Sequence, residues 1–193
     1  LALGGRKLRM VTTWPKNFPG LGTSAERLAN RITSASGGKI VVKVFAAGEL
    51  LPPFESFDAV SGGSVDMYHA AEHYWQGKSR AFNFFALGDK LAAGYNLKPF
   101  AVGNTGGQMG GWFNKEIKSL EDYKGLNIRM PGLGGAVLRR VGAVAVSLPG
   151  SKIFSALQSG AIDATEWIGP WNDLVFGFYK VAKYYYYPGF PEP

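Results

Sequence analysis

Apolar positions in the first third of the chain alternate between two spacings, which predicts short strands separated by helices. Strands are predicted at 8–13, 39–45 and 65–70, where β-branched and apolar residues run together. Helices are predicted from 24 to 36, where alanine and leucine recur on one helix face, and from Pro52 to about 60. This βαβαβ order is the signature of a parallel sheet.

The rest of the chain has a second α/β pattern. Strands are predicted at 100–103, 112–114, 126–130, 143–148 and 164–168, helices at 136–141, 151–159 and 171–183, and a strand-like tyrosine run at 184–187. We therefore expect an α/β, two-lobed protein. Its parts are predicted as lobe one at 1–86, a crossing linker at 87–99, lobe two at 100–183, and a crossing-back strand and tail at 184–193. Two small lobes make a cleft between them the expected place for a ligand.

Charge narrows the class of partner. The chain of 193 residues has 21 Lys and Arg against 14 Asp and Glu, a net charge of +7, but its basic residues are scattered. Scattered charge favours attraction of small anions over a nucleic-acid surface. The absence of cysteine excludes disulfides, zinc ribbons and thiol catalysis. Without a long apolar run or a signal-like start, we expect a soluble chain, in its mature form if it is exported.

One motif suggests an enzyme. His69, Glu72 and His73 match the H-x-x-E-H pattern of inverted zinc peptidases, in which both imidazoles bind zinc and the glutamate acts as the base. That site needs both rings on one face of a helix, whereas residues 65–70 alternate like a strand. A strand-end histidine followed by a helix-start histidine is the favoured interpretation, and a zinc-dependent hydrolase is the alternative.

Two strand ends carry charged side chains. Arg129 stands at the end of the predicted strand 126–130, where a guanidinium can bind a carboxylate through two parallel bonds or form a surface or inter-lobe salt bridge. Glu166 and Trp167 end another strand, three residues after Asp163, which suggests a metal or a buried polar partner, or else a capped helix start. The glycine-rich stretches fit neither dinucleotide nor Walker spacing.

Three motifs together resemble a known family. They are GNTGGQMGGWFNK at 103–115, LNIRMPG at 126–132 and DATEWIGP at 163–170, supported by VTTW at 11–14, MYHAAEHYWQGKS at 67–79 and YYYYPG at 184–189. The chain resembles the periplasmic substrate-binding proteins of TRAP transporters, in particular the branch that binds 2-oxo acids and other monocarboxylates. The resemblance covers nearly the whole chain, and it implies a periplasmic, non-enzymatic receptor that closes around an organic acid and delivers it to TRAP membrane subunits.

The resemblance also implies roles for individual residues. Arg129 would pair with the substrate carboxylate, Gln108 would give an amide oxygen to a bound cation, Na⁺ or Ca²⁺, and Glu166 and Trp167 would contact the same cation and ligand. Glu192 matches another position near the metal. Tyr74 and Trp14 are expected to line the pocket. The resemblance places the segment from His69 to His73 at the cleft edge, which argues against zinc, and it implies no organic cofactor.

The chain departs from the family in length. A stretch of the family sequence is absent after 84–86, and the family continues beyond Pro193 with strands and a long helix. A lobe lacking its return strands would expose sheet edges, which associate readily. We therefore expect impaired closure and a homodimer through these edges if the protein is this short. A remnant that binds no ligand and serves as an interaction module is a further alternative.

Overall fold

The computed structural model describes residues 5–84 and 88–191. The chain forms two compact units, unit 1 at Leu1–Gly103 and unit 2 at Asn104–Pro193. Ala86, where the family sequence was expected to break off, and Glu192, an expected metal neighbour, lie outside the described residues. Among the helices described, none combines the length and the apolar character needed to cross a membrane.

Unit 1 contains the parallel sheet predicted for the start of the chain. Its described elements are β1 (Arg6–Thr12), α1 (Leu21–Ala35), β2 (Ile40–Phe45), α2 (Ser56–Ser61), β3 (Met67–His69) and α3 (Asp89–Ala93). The strands lie in the order β2-β1-β3, all parallel. Helix α1 packs against them through Ala25 and Ala29, which contact Met10 and Val42. A second core consists of Phe57, Trp75 and Phe82.

Several predictions for this part of the chain need correction. Helix α1 begins at Leu21, three residues before the predicted start at 24, and the Ser24 hydroxyl donates to the Leu21 carbonyl inside its first turn. The second helix begins as a 3-10 turn at Pro53–Glu55. Residues 100–103 form no strand. The stretch 87–99 contains helix α3, which is grouped with unit 1.

Unit 2 has a mixed sheet. Its described elements are β4 (Gly107–Gln108), β5 (Gly111–Phe113), β6 (Asn127–Arg129), α4 (Gly132–Arg140), β7 (Val144–Val146), α5 (Gly150–Ser159), β8 (Ala164–Thr165), α6 (Pro170–Phe176), β9 (Tyr184–Tyr186) and β10 (Phe190–Pro191). Within the described residues the main sheet has the order β7-β6-β8-β5-β9, and β10 pairs with β4. Strands β7, β6 and β8 are parallel, whereas β5 is antiparallel to both β8 and β9.

The helices of unit 2 differ from the prediction at their ends. Helix α4 begins at Gly132 instead of 136, inside the glycine-rich turn. Helix α6 ends at Phe176, well before the predicted end at 183, because Gly177 takes a left-handed conformation (φ 71°) that closes the helix. A short 3-10 turn follows at Phe178–Lys180.

The pairing of β6 with β8 determines where the charged side chains lie. Arg129 is in register with Thr165, so the carboxyl ends of two neighbouring parallel strands coincide. Ligands of open α/β sheets bind at such carboxyl ends. The residue that ends β6 and the residue that follows β8 are therefore brought to the same edge of the sheet.

Candidate functional site

A buried ion pair lies at this sheet edge. Arg129 is 2% exposed and Glu166 is 5% exposed. Arg129 Nη1 donates to Glu166 Oε2 at 3.2 Å and to the Glu166 backbone carbonyl at 2.8 Å. The salt bridge considered for Arg129 therefore exists, but it is internal to unit 2 and buried, so it is not a surface bridge.

Two of the three nitrogens of the Arg129 guanidinium are held by described protein groups. Its Nε donates to the Leu148 carbonyl at 3.2 Å, and Nη1 donates twice to Glu166. Within residues 5–84 and 88–191, no protein acceptor takes a hydrogen bond from Nη2. A ligand carboxylate that accepted two parallel hydrogen bonds would need Nη2 and one neighbouring nitrogen. That neighbour, Nε or Nη1, would have to exchange a bond that it now makes to the protein. Nη2 is thus the nitrogen of Arg129 that the described protein groups do not engage.

Trp167 covers the guanidinium. The centre of the Arg129 guanidinium lies 4.9 Å from the centroid of the Trp167 ring, which is a cation–π distance. The ring of Phe176 meets the Trp167 ring edge to face at 5.0 Å. Gly150 is required here, because a Cβ at that position would lie 2.7 Å from the Trp167 ring. The indole is thereby fixed over Arg129 by its neighbours.

Gln108 lies beside the segment that follows β8. It is 3% exposed, and its Nε2 donates to the Thr105 hydroxyl at 3.2 Å, which turns the amide oxygen to the other side. The next residue, Met109, donates its backbone N–H to the Ile168 carbonyl at 2.8 Å. This bond ties Gln108 to the neighbourhood of Glu166 and Trp167. An amide oxygen, a carboxylate and backbone carbonyls therefore lie on neighbouring segments, and oxygens of these kinds are the ligands that Ca²⁺ prefers.

Asp173 is a feature that the sequence did not single out. Its carboxylate is 1% exposed. Oδ1 accepts from the Ile168 backbone N–H at 3.2 Å, and Oδ2 accepts from Trp112 Nε1 at 3.0 Å and the Tyr185 hydroxyl at 2.9 Å. Burial raises the pKa of Asp173 despite these bonds. Spacing gave no signal for it, because its partners lie on three separate segments.

Asp163, noted in the sequence as a neighbour of Glu166, has a structural role. Its Oδ2 accepts the Asn127 backbone N–H at 2.8 Å and so joins β8 to the start of β6. This bond lies at the opposite end of the two strands from Arg129. Asp163 is therefore separate from the carboxylate of Glu166 in both position and function.

The two expected pocket residues of unit 1, Trp14 and Tyr74, lie together. Their ring centroids are 6.2 Å apart. Trp14 Nε1 donates to His69 Nδ1 at 2.7 Å. They belong to unit 1, whereas Arg129, Glu166, Trp167 and Gln108 belong to unit 2.

The hydrogen bonds of His69 bear on the zinc hypothesis. An indole N–H can only donate, so Nδ1 must accept, and the proton lies on Nε2, which is 3.1 Å from the Ser24 hydroxyl oxygen. Burial lowers the pKa of His69, in keeping with a neutral ring. His73 packs on Tyr74 in a 3-10 turn. No cluster of three His, Asp or Glu suited to a metal occurs in the described parts of the chain. The inverted zinc-peptidase geometry is not formed.

The glutamate of the same motif makes a local pair. The Tyr68 hydroxyl donates to Glu72 Oε1 at 3.1 Å and to Oε2 at 3.0 Å. Burial raises the pKa of Glu72 from 4.5 to about 7, although the bond from Tyr68 opposes this shift. Burial and the charge of Glu72 also raise the pKa of Tyr68.

Glu72→Gln is expected to remove a pH dependence of stability. In the folded protein Glu72 keeps its proton up to about pH 7, whereas in the unfolded chain it loses it near 4.5. The free energy of unfolding should therefore fall as pH rises between these values, by about 3 kcal/mol in total, and stay low above them. Urea unfolding from pH 4 to pH 8 measures this, with the exposed Glu55→Gln as the control. Equal pH profiles for Glu72→Gln and wild type would contradict it.

Comparison with known proteins places this geometry in a family. The family model of the bacterial extracellular solute-binding proteins, family 7 (DctP), matches residues 10–88 and 86–192. The two matches meet where a stretch of family sequence was expected to be absent. A protein of Nostoc sp., described as a monocarboxylate 2-oxoacid-binding periplasmic protein, is 44% identical over 207 residues, covering 96% of this chain and 57% of the relative.

Comparison with solved structures leads to the same family. A TRAP periplasmic solute-binding protein of Pseudoalteromonas atlantica with bound sodium and pyruvate is 36% identical, with a TM-score of 0.93, and the match covers 98% of this chain and 64% of that one. A Colwellia psychrerythraea protein with calcium and pyruvate has the same identity and coverage and a TM-score of 0.91. A Bordetella bronchiseptica protein with calcium and picolinate is 39% identical, with a TM-score of 0.89 and coverage of 96% and 62%.

The chain thus spans between 57% and 64% of the length of these relatives. The likeness to the solved structures confirms the predicted α/β, two-lobed fold of the periplasmic binding proteins. It also confirms the family resemblance drawn from the motifs, and these homologues are solute-binding receptors. This chain belongs to the bacterial extracellular solute-binding proteins of family 7, the DctP family.

Proposed function

We propose that this protein is a periplasmic receptor for a small 2-oxo acid or related monocarboxylate, which it binds together with Na⁺ or Ca²⁺ and delivers to TRAP membrane subunits. The observation that carries the proposal is the buried Arg129, whose Nη2 donates to none of the described protein groups, while Nε and Nη1 are held by Leu148 and Glu166. A charge-assisted bond from such a donor is roughly twice as strong as a neutral one.

The balance of charge between Arg129 and Glu166 supports a bound Na⁺ or Ca²⁺. Arg129 and Glu166 together are neutral, so a carboxylate that approaches Arg129 also meets the negative charge of Glu166. Two unit charges 4 Å apart interact by about 4 kcal/mol at an effective dielectric constant of 20. A cation beside Glu166 offsets this repulsion and makes the site net positive before the acid binds.

Three residues of this chain suit the cation. Gln108 would offer its amide oxygen, Glu166 its carboxylate, and Trp167 its backbone carbonyl, with the ligand's own oxygens completing the shell. Gln108 is supported by its burial and by the bond from Met109 to Ile168, which holds it beside the other two. Glu192 remains a prediction as a further metal neighbour. Trp14 and Tyr74 remain predictions as pocket residues.

The nature of the acid is supported by relatives. The Nostoc relative is described as binding monocarboxylate 2-oxo acids, and two similar crystal structures hold pyruvate, one with sodium and one with calcium. A third holds picolinate with calcium. Pyruvate and picolinate share a carboxylate beside a second metal-binding atom. We infer that this chain takes a carboxylate with an adjacent donor, such as the keto oxygen of a 2-oxo acid.

Titration of the 193-residue chain with pyruvate tests the proposal. We expect a saturable change in tryptophan fluorescence that requires added Na⁺ or Ca²⁺, disappears with chelator in the calcium series, and is absent with an uncharged analogue such as pyruvamide. Longer 2-oxo acids and lactate then define the class. A folded protein with a flat response to every acid would overturn the proposal and favour the non-binding remnant.

The assembly and location of the protein follow from the same proposal. Delivery to TRAP membrane subunits and a periplasmic location are inferred from the family. A homodimer stays a prediction; one similar structure, from Bordetella bronchiseptica, is described as a mixed-occupancy dimer. Light scattering of the purified chain decides between monomer and dimer.

A further inference from the structure

We infer that Asp173 is a positioning residue for the cation: its carboxylate orients the peptide between Trp167 and Ile168 so that the Trp167 carbonyl oxygen faces the metal. The inference rests on the proposed function and adds to it a residue that contacts neither cation nor acid. It follows from the hydrogen bonds around one peptide plane.

Both polar groups of Ile168 are fixed by the protein. Its N–H donates to Asp173 Oδ1 at 3.2 Å, and its carbonyl accepts from the Met109 N–H at 2.8 Å. The N–H of Ile168 and the carbonyl of Trp167 belong to one peptide unit, which is planar and trans, so the two groups point in opposite directions. An N–H directed at Asp173 therefore directs the Trp167 carbonyl to the side away from Asp173.

Asp173 is itself held by two strands of the sheet. Oδ2 accepts from Trp112 Nε1 on β5 at 3.0 Å and from the Tyr185 hydroxyl on β9 at 2.9 Å. The two donor rings stack on each other, with centroids 4.0 Å apart and planes 17° from parallel. Trp112 pairs with Thr165, which directly precedes Glu166 in the chain. The Asp173 carboxylate therefore links Ile168, in the segment that follows β8, to side chains of β5 and β9.

The three hydrogen bonds of Asp173 require a carboxylate and cannot all be made by an asparagine. All three partners of Asp173 donate, and an ionised carboxylate has acceptors on both oxygens. An asparagine has one accepting oxygen. If its NH₂ takes the place of Oδ1 it faces the Ile168 N–H, and if it takes the place of Oδ2 it faces the Trp112 indole N–H. Asp173→Asn therefore loses either the bond to Ile168 or the bond from Trp112, at nearly unchanged volume.

The experiment is calcium titration at saturating pyruvate, followed by calorimetry, in wild type and Asp173→Asn. Partners that orient metal ligands typically change metal affinity by about 10- to 100-fold when they are removed. We expect a loss of calcium affinity in that range, while pyruvate affinity at saturating calcium changes by less than about threefold. Excess calcium should restore the wild-type response, which a general loss of structure would not allow.

Asp163→Asn is the matched control. It makes the same change at a half-buried carboxylate whose Oδ2 accepts the Asn127 backbone N–H, at the end of β6 away from the site. Because the asparagine oxygen can keep this single bond, we expect the variant to fold and to retain the wild-type calcium affinity. Tyr185→Phe, which deletes a single donor to Oδ2, provides a milder variant should Asp173→Asn fail to fold, with a calcium affinity lowered by a few-fold.

The outcomes separate the two proposals. If wild type binds pyruvate with calcium, and Asp173→Asn and Tyr185→Phe both keep the wild-type calcium affinity, the role of Asp173 is overturned and the receptor function stands. If pyruvate and calcium affinities fall together in both variants, Asp173 acts on overall structure only, which also overturns the inference. If wild type responds to neither pyruvate nor calcium, the proposed function fails, and the role of Asp173 fails with it.

Discussion

Arg129→Met is expected to abolish measurable pyruvate binding, with an affinity loss of about 30-fold or more. Truncating one partner of a buried, hydrogen-bonded charge pair typically costs about 2–5 kcal/mol in binding, and about 2 kcal/mol already corresponds to roughly 30-fold. The same change leaves Glu166 buried without its cationic partner, so the free energy of unfolding should fall by about 3–5 kcal/mol. Calorimetric titration with pyruvate and urea unfolding measure the two effects separately.

A double variant separates loss of the site from loss of the fold. Replacing a buried ion pair by apolar residues of similar volume is often neutral for stability. Arg129→Met combined with Glu166→Leu should therefore regain most of the stability lost in the single variant, and still bind no pyruvate. Arg139→Ala, which removes an exposed guanidinium of the same unit, should bind like wild type. Pyruvate binding by the well-folded double variant would show that Arg129 is not the carboxylate partner.

Glu166→Gln is expected to remove the cation dependence of pyruvate binding. In wild type the paired charges cancel, so binding needs a cation to offset Glu166; in the variant the positive charge of Arg129 is no longer balanced. The amide oxygen can still accept from Arg129 Nη1, which preserves the local packing. Pyruvate affinity without added cation should therefore exceed that of wild type, and added Na⁺ or Ca²⁺ should leave it unchanged.

Affinity for pyruvate measured with and without cation checks this prediction directly. Glu121→Gln is the matched control, since it removes an exposed carboxylate of unit 2 and should keep the wild-type cation dependence. A variant that still needs calcium would place the cation away from Glu166. A variant that binds no pyruvate under any condition would mean that the carboxylate of Glu166 is needed for more than holding the metal.

The sequence located the charged residues of the site but not their pairing. Apolar runs placed Arg129 at the end of one strand and Glu166 at the end of another, and both positions are confirmed to within one or two residues. Their contact depends on β6 lying beside β8, and the partners are 37 residues apart in the chain. Hydrophobic periodicity carries no information on strand order, so a salt bridge and a ligand contact remained open for Arg129.

Asp173 was missed for a related reason. It sits in the first turn of a helix, where an exposed aspartate is common, and only the approach of β5 and β9 makes it a buried acceptor. The early end of helix α6 was also missed. Apolar residues continue at helical spacing past Gly177, and the left-handed conformation of that glycine decides the end. The zinc site suggested by the H-x-x-E-H motif is not formed, because His69 lies on a strand and both of its ring nitrogens are hydrogen-bonded, to Trp14 and to Ser24.

The anchoring of Arg129 within unit 2 has a consequence for the entropy of binding. Ordering a long side chain at an interface typically costs about 0.5–1.5 kcal/mol. Here Leu148, Glu166 and the indole of Trp167 already hold the guanidinium, so its rotational freedom is lost when the chain folds and not when the acid arrives. Affinity for a very small ligand, which has few atoms to contribute contacts, depends strongly on receptor groups that are ordered in advance.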